Sequence, residues 1–223
     1  MKIAVIGYGR VGSRTVAALL ERGHEISLID KEATRLSRAA QLEGVELTQG
    51  NGIDIDVQRE AVANTLANAF RNGVAGRVSG DMVDLYNYVP PERYDLIVAS
   101  LYQMPVDPLG QITGHRPVDF WGRSLFDHLI GLLPELLADG GLAYVMQISI
   151  LGQVRTAELF EKVELDSRII DYAFFHFSPV FYENIEQIKR VEQLSDAYHL
   201  KLGEDDVMVM YLLEVKRKKP GGD

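Results

Sequence analysis

The stretch Lys2-Ile3-Ala4-Val5-Ile6-Gly7-Tyr8-Gly9-Arg10-Val11-Gly12 decides the fold of this chain. Its apolar run predicts a buried strand over Ile3 to Ile6, and the run breaks into the spacing G-x-G-x-x-G. Gly7 suits a tight turn, Gly9 lets backbone approach a phosphate group, and Gly12 lets the following helix pack closely. That helix would present free N–H groups and a positive dipole end to an anion. Val16, Leu19 and Leu20 continue at helical spacing to Gly23, and a second strand, His24 to Ile29, ends in Asp30. An acid roughly 20 residues beyond the turn is where a dinucleotide's ribose hydroxyls are bound. Strand, glycine turn, helix, strand and acid together predict a nucleotide site on Gly7, Tyr8, Gly9, Arg10, Val11 and Gly12, with Asp30 and Lys31 at its ribose end. A 2′-phosphate beside Asp30 would meet like charge, at a cost of a few kcal/mol for an effective dielectric near 20, softened by Lys31 and Arg35. NAD is therefore favoured over NADP.

The whole chain of 223 residues has the composition of a globular protein, 47% hydrophobic and 25% charged. A net charge of −9 argues against a general nucleic-acid or anionic-membrane binder. With no cysteine there is no disulfide, thiolate nucleophile or zinc-thiolate centre. No apolar stretch reaches the roughly 20 residues of a membrane span, and the N-terminus reads as strand, not as a signal peptide. A cytoplasmic location is the expectation. The basic run Lys216 to Lys219, followed by Pro-Gly-Gly-Asp, reads as a solvated tail.

Residues 31 to 43 show helical spacing before Gly44, and Val45 to Gln49 reads as a third strand. From Met1 to about residue 60 the chain resembles the N-terminal NAD-binding domain of potassium-uptake regulators, the TrkA-N or RCK type. The resemblance rests on Ala4 to Gly12, on Gly23-His24-Glu25-Ile26-Ser27-Leu28-Ile29-Asp30-Lys31 and on Gln49-Gly50-Asn51-Gly52. Asn51 stands where that family usually carries the aspartate that approaches adenine.

From Gly52 onward the chain resembles class I S-adenosylmethionine-dependent methyltransferases of the small-domain or HemK-like type. Gly52-Ile53-Asp54-Ile55-Asp56 looks like their second strand with its ribose-binding acid, and Gly80-Asp81 resembles the acid beside the adenine. Tyr94 to Ser100 looks like strand four; Leu125 to Leu137 with Asp139-Gly140-Gly141 resembles the helix and turn before strand five, Leu142 to Ser149. Two departures stand out. No acid-x-G-x-G loop precedes Ile53, the one glycine loop being Gly7 to Gly12 with Val5 in the acid's place. After strand four the chain reads Ser100-Leu101-Tyr102-Gln103-Met104-Pro105 where the small-domain type has Asn-Pro-Pro-Tyr.

Farther on, Arg155 to Val163 and Ile185 to His199 read as helices, Arg168 to Phe177 as an aromatic strand, and Val207 to Val215 as a closing strand. The expected fold is therefore α/β: one doubly wound, mostly parallel Rossmann-like unit over 1–223 with helices on both faces and an antiparallel C-terminal edge. An NAD-type half, 1–56, joins a methyltransferase-like half, 57–223. Right-handed crossovers bring next either Arg77 to Val83, as an inserted neighbour, or Leu96 to Ala99; the second is favoured, lying beside Lys2 to Ile6 with Arg77 to Val83 at an edge or as loop. The aromatic group Tyr172, Phe174, Phe175, Phe177, Phe181 and Tyr182 reads as core plus one exposed edge, and His176 within it as a core histidine. His24, His128 and His199 have no partner at metal-ligand spacing, so no metal is expected.

Methyl transfer needs positioning more than acid–base groups, because the sulfonium is already activated. The loop from Ser100 to Trp121 is the expected substrate wall, with Tyr102, Gln103 and His115 as catalytic candidates and Asp119 as a further polar group. Asn51, Asp54, Asp81 and Ser100 complete the expected cofactor contacts. The resemblances together imply first a methyltransferase using S-adenosylmethionine on an unidentified acceptor, second an NAD-binding regulatory domain without catalysis, and third an NAD-dependent oxidoreductase. A homodimer is allowed. Because Gly9 sits in the path of either cofactor, Gly9→Val should weaken nucleotide binding at least tenfold while leaving the circular dichroism spectrum unchanged. Unaltered affinity in calorimetry would make the turn purely structural.

Overall fold

The computed structural model describes residues 2–6, 25–29, 45–48, 85–89, 92–110 and 118–218. The chain forms two compact units, residues 1–101 with 135–144 and residues 102–134 with 145–223. The architecture is an open α/β sheet with helices.

In the first unit, β1 (Lys2–Ile6), β2 (Glu25–Ile29), β3 (Val45–Thr48), β4 (Tyr94–Ala99) and β5 (Leu137–Ile148) run in the order β3-β2-β1-β4-β5. β1 is parallel to both neighbours: Ile3 pairs with Ile26 and Leu96, and Ile6 with Ile29 and Ala99. β4 thus lies beside β1, as the crossover argument expects. Ile3, Leu96, Ile97, Val98 and Ala99 are buried, which is why these strands read as unbroken apolar runs and not as alternating ones. A 3-10 turn at Leu85–Asn87 leads toward β4, and the Tyr88 and Tyr94 hydroxyls meet at 3.1 Å.

β5 departs from its expected start. Asp139-Gly140-Gly141, read as a turn, lies inside one strand that begins at Leu137. Gly140 has φ +77°, and a Cβ on Gly141 would stand 2.9 Å from the Tyr94 carbonyl oxygen. Gly141 therefore lets the strand hug the start of β4, which a side chain would prevent, while Gly140 supplies the positive φ.

In the second unit the helices are α1 (Ser124–Leu136), α2 (Val154–Lys162), α3 (Pro179–Glu183) and α4 (Ile185–Leu194). The strands β6 (Leu165–His176), β7 (Leu200–Leu202) and β8 (Asp205–Arg217) accompany them, in the order β5-β8-β6 with β7 on β8. β8 is antiparallel to β6 and β7. The core collects Phe126, Leu129, Ile130 and Leu133 from one face of α1, Phe160 from α2, Ile188 and Val191 from α4, and Val207 and Val215 from β8. Each contributes about 1.5 to 3 kcal/mol of burial.

The helix expected through His199 stops at Leu194. Ser195 is extended, its hydroxyl donating to the Val191 carbonyl at 2.8 Å and accepting from the Ala197 N–H. Asp196 then accepts the Gln153 and Val154 N–H groups at the start of α2. Short polar side chains offer the backbone these alternatives to a further helical turn.

Two other expectations are corrected. His176 is exposed, 3.4 Å from Asp205, because it ends the outermost strand. Lys216 and Arg217 are not tail but the end of β8, and Arg217 donates to the Pro134 carbonyl. Among the described residues, no helix is long and apolar enough to cross a membrane, and no cluster of three His, Asp or Glu side chains is placed to hold a metal.

The least expected core member is Arg123, which is buried. Its Nε donates to Asp127 at 2.8 Å, Nη1 to the Leu151 and Gly152 carbonyls at 2.6 and 3.2 Å, and Nη2 to Thr156 at 2.9 Å. Burial pulls its pKa below the ordinary arginine value, while Asp127 pushes the other way. The guanidinium thus ties the start of α1 to the turn that feeds α2. Arg123→Met should cost about 3 kcal/mol through the carbonyls and hydroxyl it strands, seen as a lower urea midpoint. An unchanged midpoint would mean that water replaces those bonds at no cost.

Candidate functional site

Four parallel strands of the first unit end on one line. Ile6 of β1 is level with Ile29 and Ala99, and Ile29 is level with Thr48. The chain continues from these four ends into Gly7, Asp30, Gln49 and Ser100. Strand order reverses about β1, since β2 and β3 lie on one side and β4 on the other. In open α/β sheets a ligand binds outside the carboxyl ends of the strands at such a reversal. The buried side chains of Ile3 and β4 make that edge rigid, as a site needs. Of the predicted site residues, Gly7, Tyr8, Gly9, Arg10, Val11, Gly12, Asp30, Lys31, Asn51, Asp54, Asp81 and His115 lie outside the described residues. Ser100 is half-buried just after β4.

The second unit begins with the loop expected to be a substrate wall. Tyr102 is half-buried and Gln103 buried. The Gln103 amide donates to the Met146 carbonyl at 2.6 Å and accepts the Ile148 N–H at 2.9 Å. It pairs with β5 as a neighbouring strand residue would, so its polar atoms hold the loop in place. Val106 N–H then donates to the Asp119 carbonyl at 2.8 Å. Gly122, at φ +69°, packs so closely that a Cβ would stand 2.3 Å from the Pro105 nitrogen.

Asp119 caps α1, its carboxylate accepting the Ser124 N–H and hydroxyl at 2.7 Å each and the Trp121 N–H at 3.1 Å. Asp107 accepts the Leu109 N–H at 2.9 Å and meets Arg190 of α4 at 2.8 Å. The Leu109 N–H first, and Arg190 second, hold the Asp107 carboxyl below its usual range. A lowered carboxyl adds stability that is complete above its ordinary pKa and is lost as the pH falls through the lowered one. Sequence reasoning missed Asp107 and Gly122 as anchors. An acid two residues before the Leu109 N–H, with Pro108 between, was the available turn signal.

Comparison with known proteins divides along the chain. Residues 3–68 match the family model described as the TrkA-N domain. The chain is 35% identical over 111 residues to the Trk system potassium uptake protein TrkA of Streptomyces coelicolor, covering 46% of this chain and 49% of that protein. It thus spans about half the length of that curated relative. Among solved structures, the (4+2)-cyclase SpnF is similar with a TM-score of 0.50 and 14% identity, covering 95% of this chain and 84% of that one. An S-adenosylmethionine-dependent methyltransferase from Geobacter sulfurreducens, in complex with S-adenosyl-L-homocysteine, is similar with a TM-score of 0.44 and 13% identity, covering 90% and 88%. The first likeness is one of fold. The front of the chain matches TrkA-N, as its resemblance over residues 1 to about 60 implies.

Since Gln103 spends its amide on β5, Gln103→Leu should leave the Met146 carbonyl and Ile148 N–H without their partner and cost about 2 kcal/mol. A thermal melt would show the loss, and an unchanged melting temperature would free Gln103 for a role at a ligand.

Proposed function

We propose that the first unit binds a dinucleotide of the NAD(H) type on the Gly7–Gly12 turn, with Asp30 accepting the ribose hydroxyls, and that binding without hydride transfer is its role. The observation that carries this reading is the reversal of strand order about β1, whose end runs straight into Gly7. The match of residues 3–68 to the TrkA-N domain supports it, spanning the turn, Asp30 and β3 in one stretch. The residues suit an anion: Val5 leaves no acid ahead of the turn, and Arg10 adds a cation within it. The level strand ends fit a ligand laid across β1, β2 and β4. The nicotinamide would supply redox chemistry when bound. The chain's own work is to hold the pyrophosphate on backbone N–H groups and to orient the adenosine through Asp30.

A second reading is methyl transfer from S-adenosylmethionine, with Asp54 and Asp81 holding the adenosine. It is favoured by β8 running antiparallel beside β6 at the end of a chain whose residues from Gly52 onward resemble methyltransferases. Support for it lies in fold and sequence pattern alone, which is why it now stands second.

Titration of the purified chain with NADH, S-adenosylmethionine and S-adenosylhomocysteine separates the two. NADH should bind, and Asp30→Ala should weaken it roughly tenfold to a hundredfold through one charge-assisted hydrogen bond, while Asp54→Ala leaves it unchanged. If S-adenosylmethionine binds instead, and Asp54→Ala weakens it while Asp30→Ala does not, the NAD reading is wrong and methyl transfer replaces it.

A further inference from the structure

β6 is the last strand of the second unit's sheet, and its exposure is unusual for a strand so rich in apolar residues. On β8, Val207, Val209, Leu213 and Val215 are buried and form the core face. Their partners on β6 are His176, Phe174, Ile169 and Ser167, with Tyr172 opposite Tyr211. The core face of β8 thus continues onto β6 as Ile169, Tyr172 and Phe174, which are 47%, 61% and 55% exposed. The Tyr172 and Phe174 rings meet edge to face at 5.9 Å, making one apolar stripe. The register skips at Ile170, itself 42% exposed, so Arg168 and Asp171 come to share the opposite face of the strand. A long apolar edge with no proline or lysine in it is a template for another strand.

Charge selects the occupant. In a two-fold antiparallel pairing of β6 with itself, residues that oppose each other must share a face, and the skip at Ile170 restricts which registers satisfy this. One such register sets Arg168 of each copy against Asp171 of the other, with Ser167 against Tyr172 and the two isoleucines Ile169 and Ile170 at the axis. Sliding by one step in one direction sets Asp166 against Asp171, a like-charge clash; in the other it sets Arg168 against Ala173 and leaves its charge without an opposite. Like charges directly opposed destabilise a strand pair and opposite charges stabilise it. Arg168 is held ready by Glu214, which takes its Nε and Nη2 at 2.8 and 2.7 Å and leaves Nη1 for a further carboxylate.

We propose that β6 is a homodimer interface, in which two copies of this chain pair their β6 strands antiparallel about an axis at Ile169–Ile170, joined by two Arg168–Asp171 ion pairs. The interface is isologous, so it closes at two copies.

Sedimentation of the full chain tests this. The wild type should sediment at twice the 24.9 kDa chain mass. Asp171→Arg opposes Arg to Arg, and Arg168→Asp opposes Asp to Asp, so each variant alone should be monomeric. An equal mixture of the two restores an Arg–Asp pair at both crossings and should recover the dimer mass. A monomeric wild type, or a dimer that persists in Asp171→Arg, overturns the proposal. Should Arg168→Asp unfold beside Glu214, which circular dichroism would reveal, Asp171→Arg alone decides the question.

Discussion

The first unit depends on β1 having a parallel neighbour on each side. A strand so placed has both rows of backbone groups spent on ladders, and it needs side chains that tolerate burial on both faces, which Ile3-Ala4-Val5-Ile6 supplies. The consequence for chemistry is positional. With β2 on one side and β4 on the other, β1 stands at the reversal of strand order, where such sheets take a ligand. Gly7 follows Ile6 directly, so the most permissive backbone of the chain begins where the sheet stops.

The second unit relies on polar side chains used as fasteners. Arg123 answers four acceptors and Gln103 completes the edge of β5, while Asp119 and Asp196 cap the starts of α1 and α2. Each satisfies backbone groups that the loops would otherwise leave without partners, and an unmade buried bond costs more than a made one gains. The loop from Tyr102 to Gly122 is thereby pinned at Gln103, Val106, Asp107 and Gly122.

What could be read from the sequence follows from how local the signal is. β1, β2 and β4 announce themselves as mainly apolar runs, β1 ended by Gly7 and β2 by Asp30, and α1 carries Leu125, Leu129 and Leu133 at helical spacing, because these patterns depend on near neighbours. Even the pairing of β4 with β1 was legible, through the handedness of crossovers. The Asp139-Gly140-Gly141 stretch was not, since Gly141 answers to Tyr94, 47 residues away in sequence. Gln103 looked like a substrate contact because a polar residue in a loop after a strand carries no mark of the β5 groups it will meet. His176 looked buried because its aromatic neighbours suggested core, whereas their strand ends the sheet.

The choice between the two cofactors is at bottom a question of charge sign at one turn. A pyrophosphate brings two negative charges and is served by backbone N–H groups, a helix N-terminus and a nearby arginine. S-adenosylmethionine brings a positive sulfonium and an ammonium, and is served by an acid ahead of the turn. At this place the chain has Val5 ahead of Gly7, and Arg10 in the turn itself. A unit charge about 5 Å from Arg10 gains or loses roughly 3 kcal/mol at an effective dielectric near 20. Reversing the ligand's sign doubles that difference, to several powers of ten in affinity.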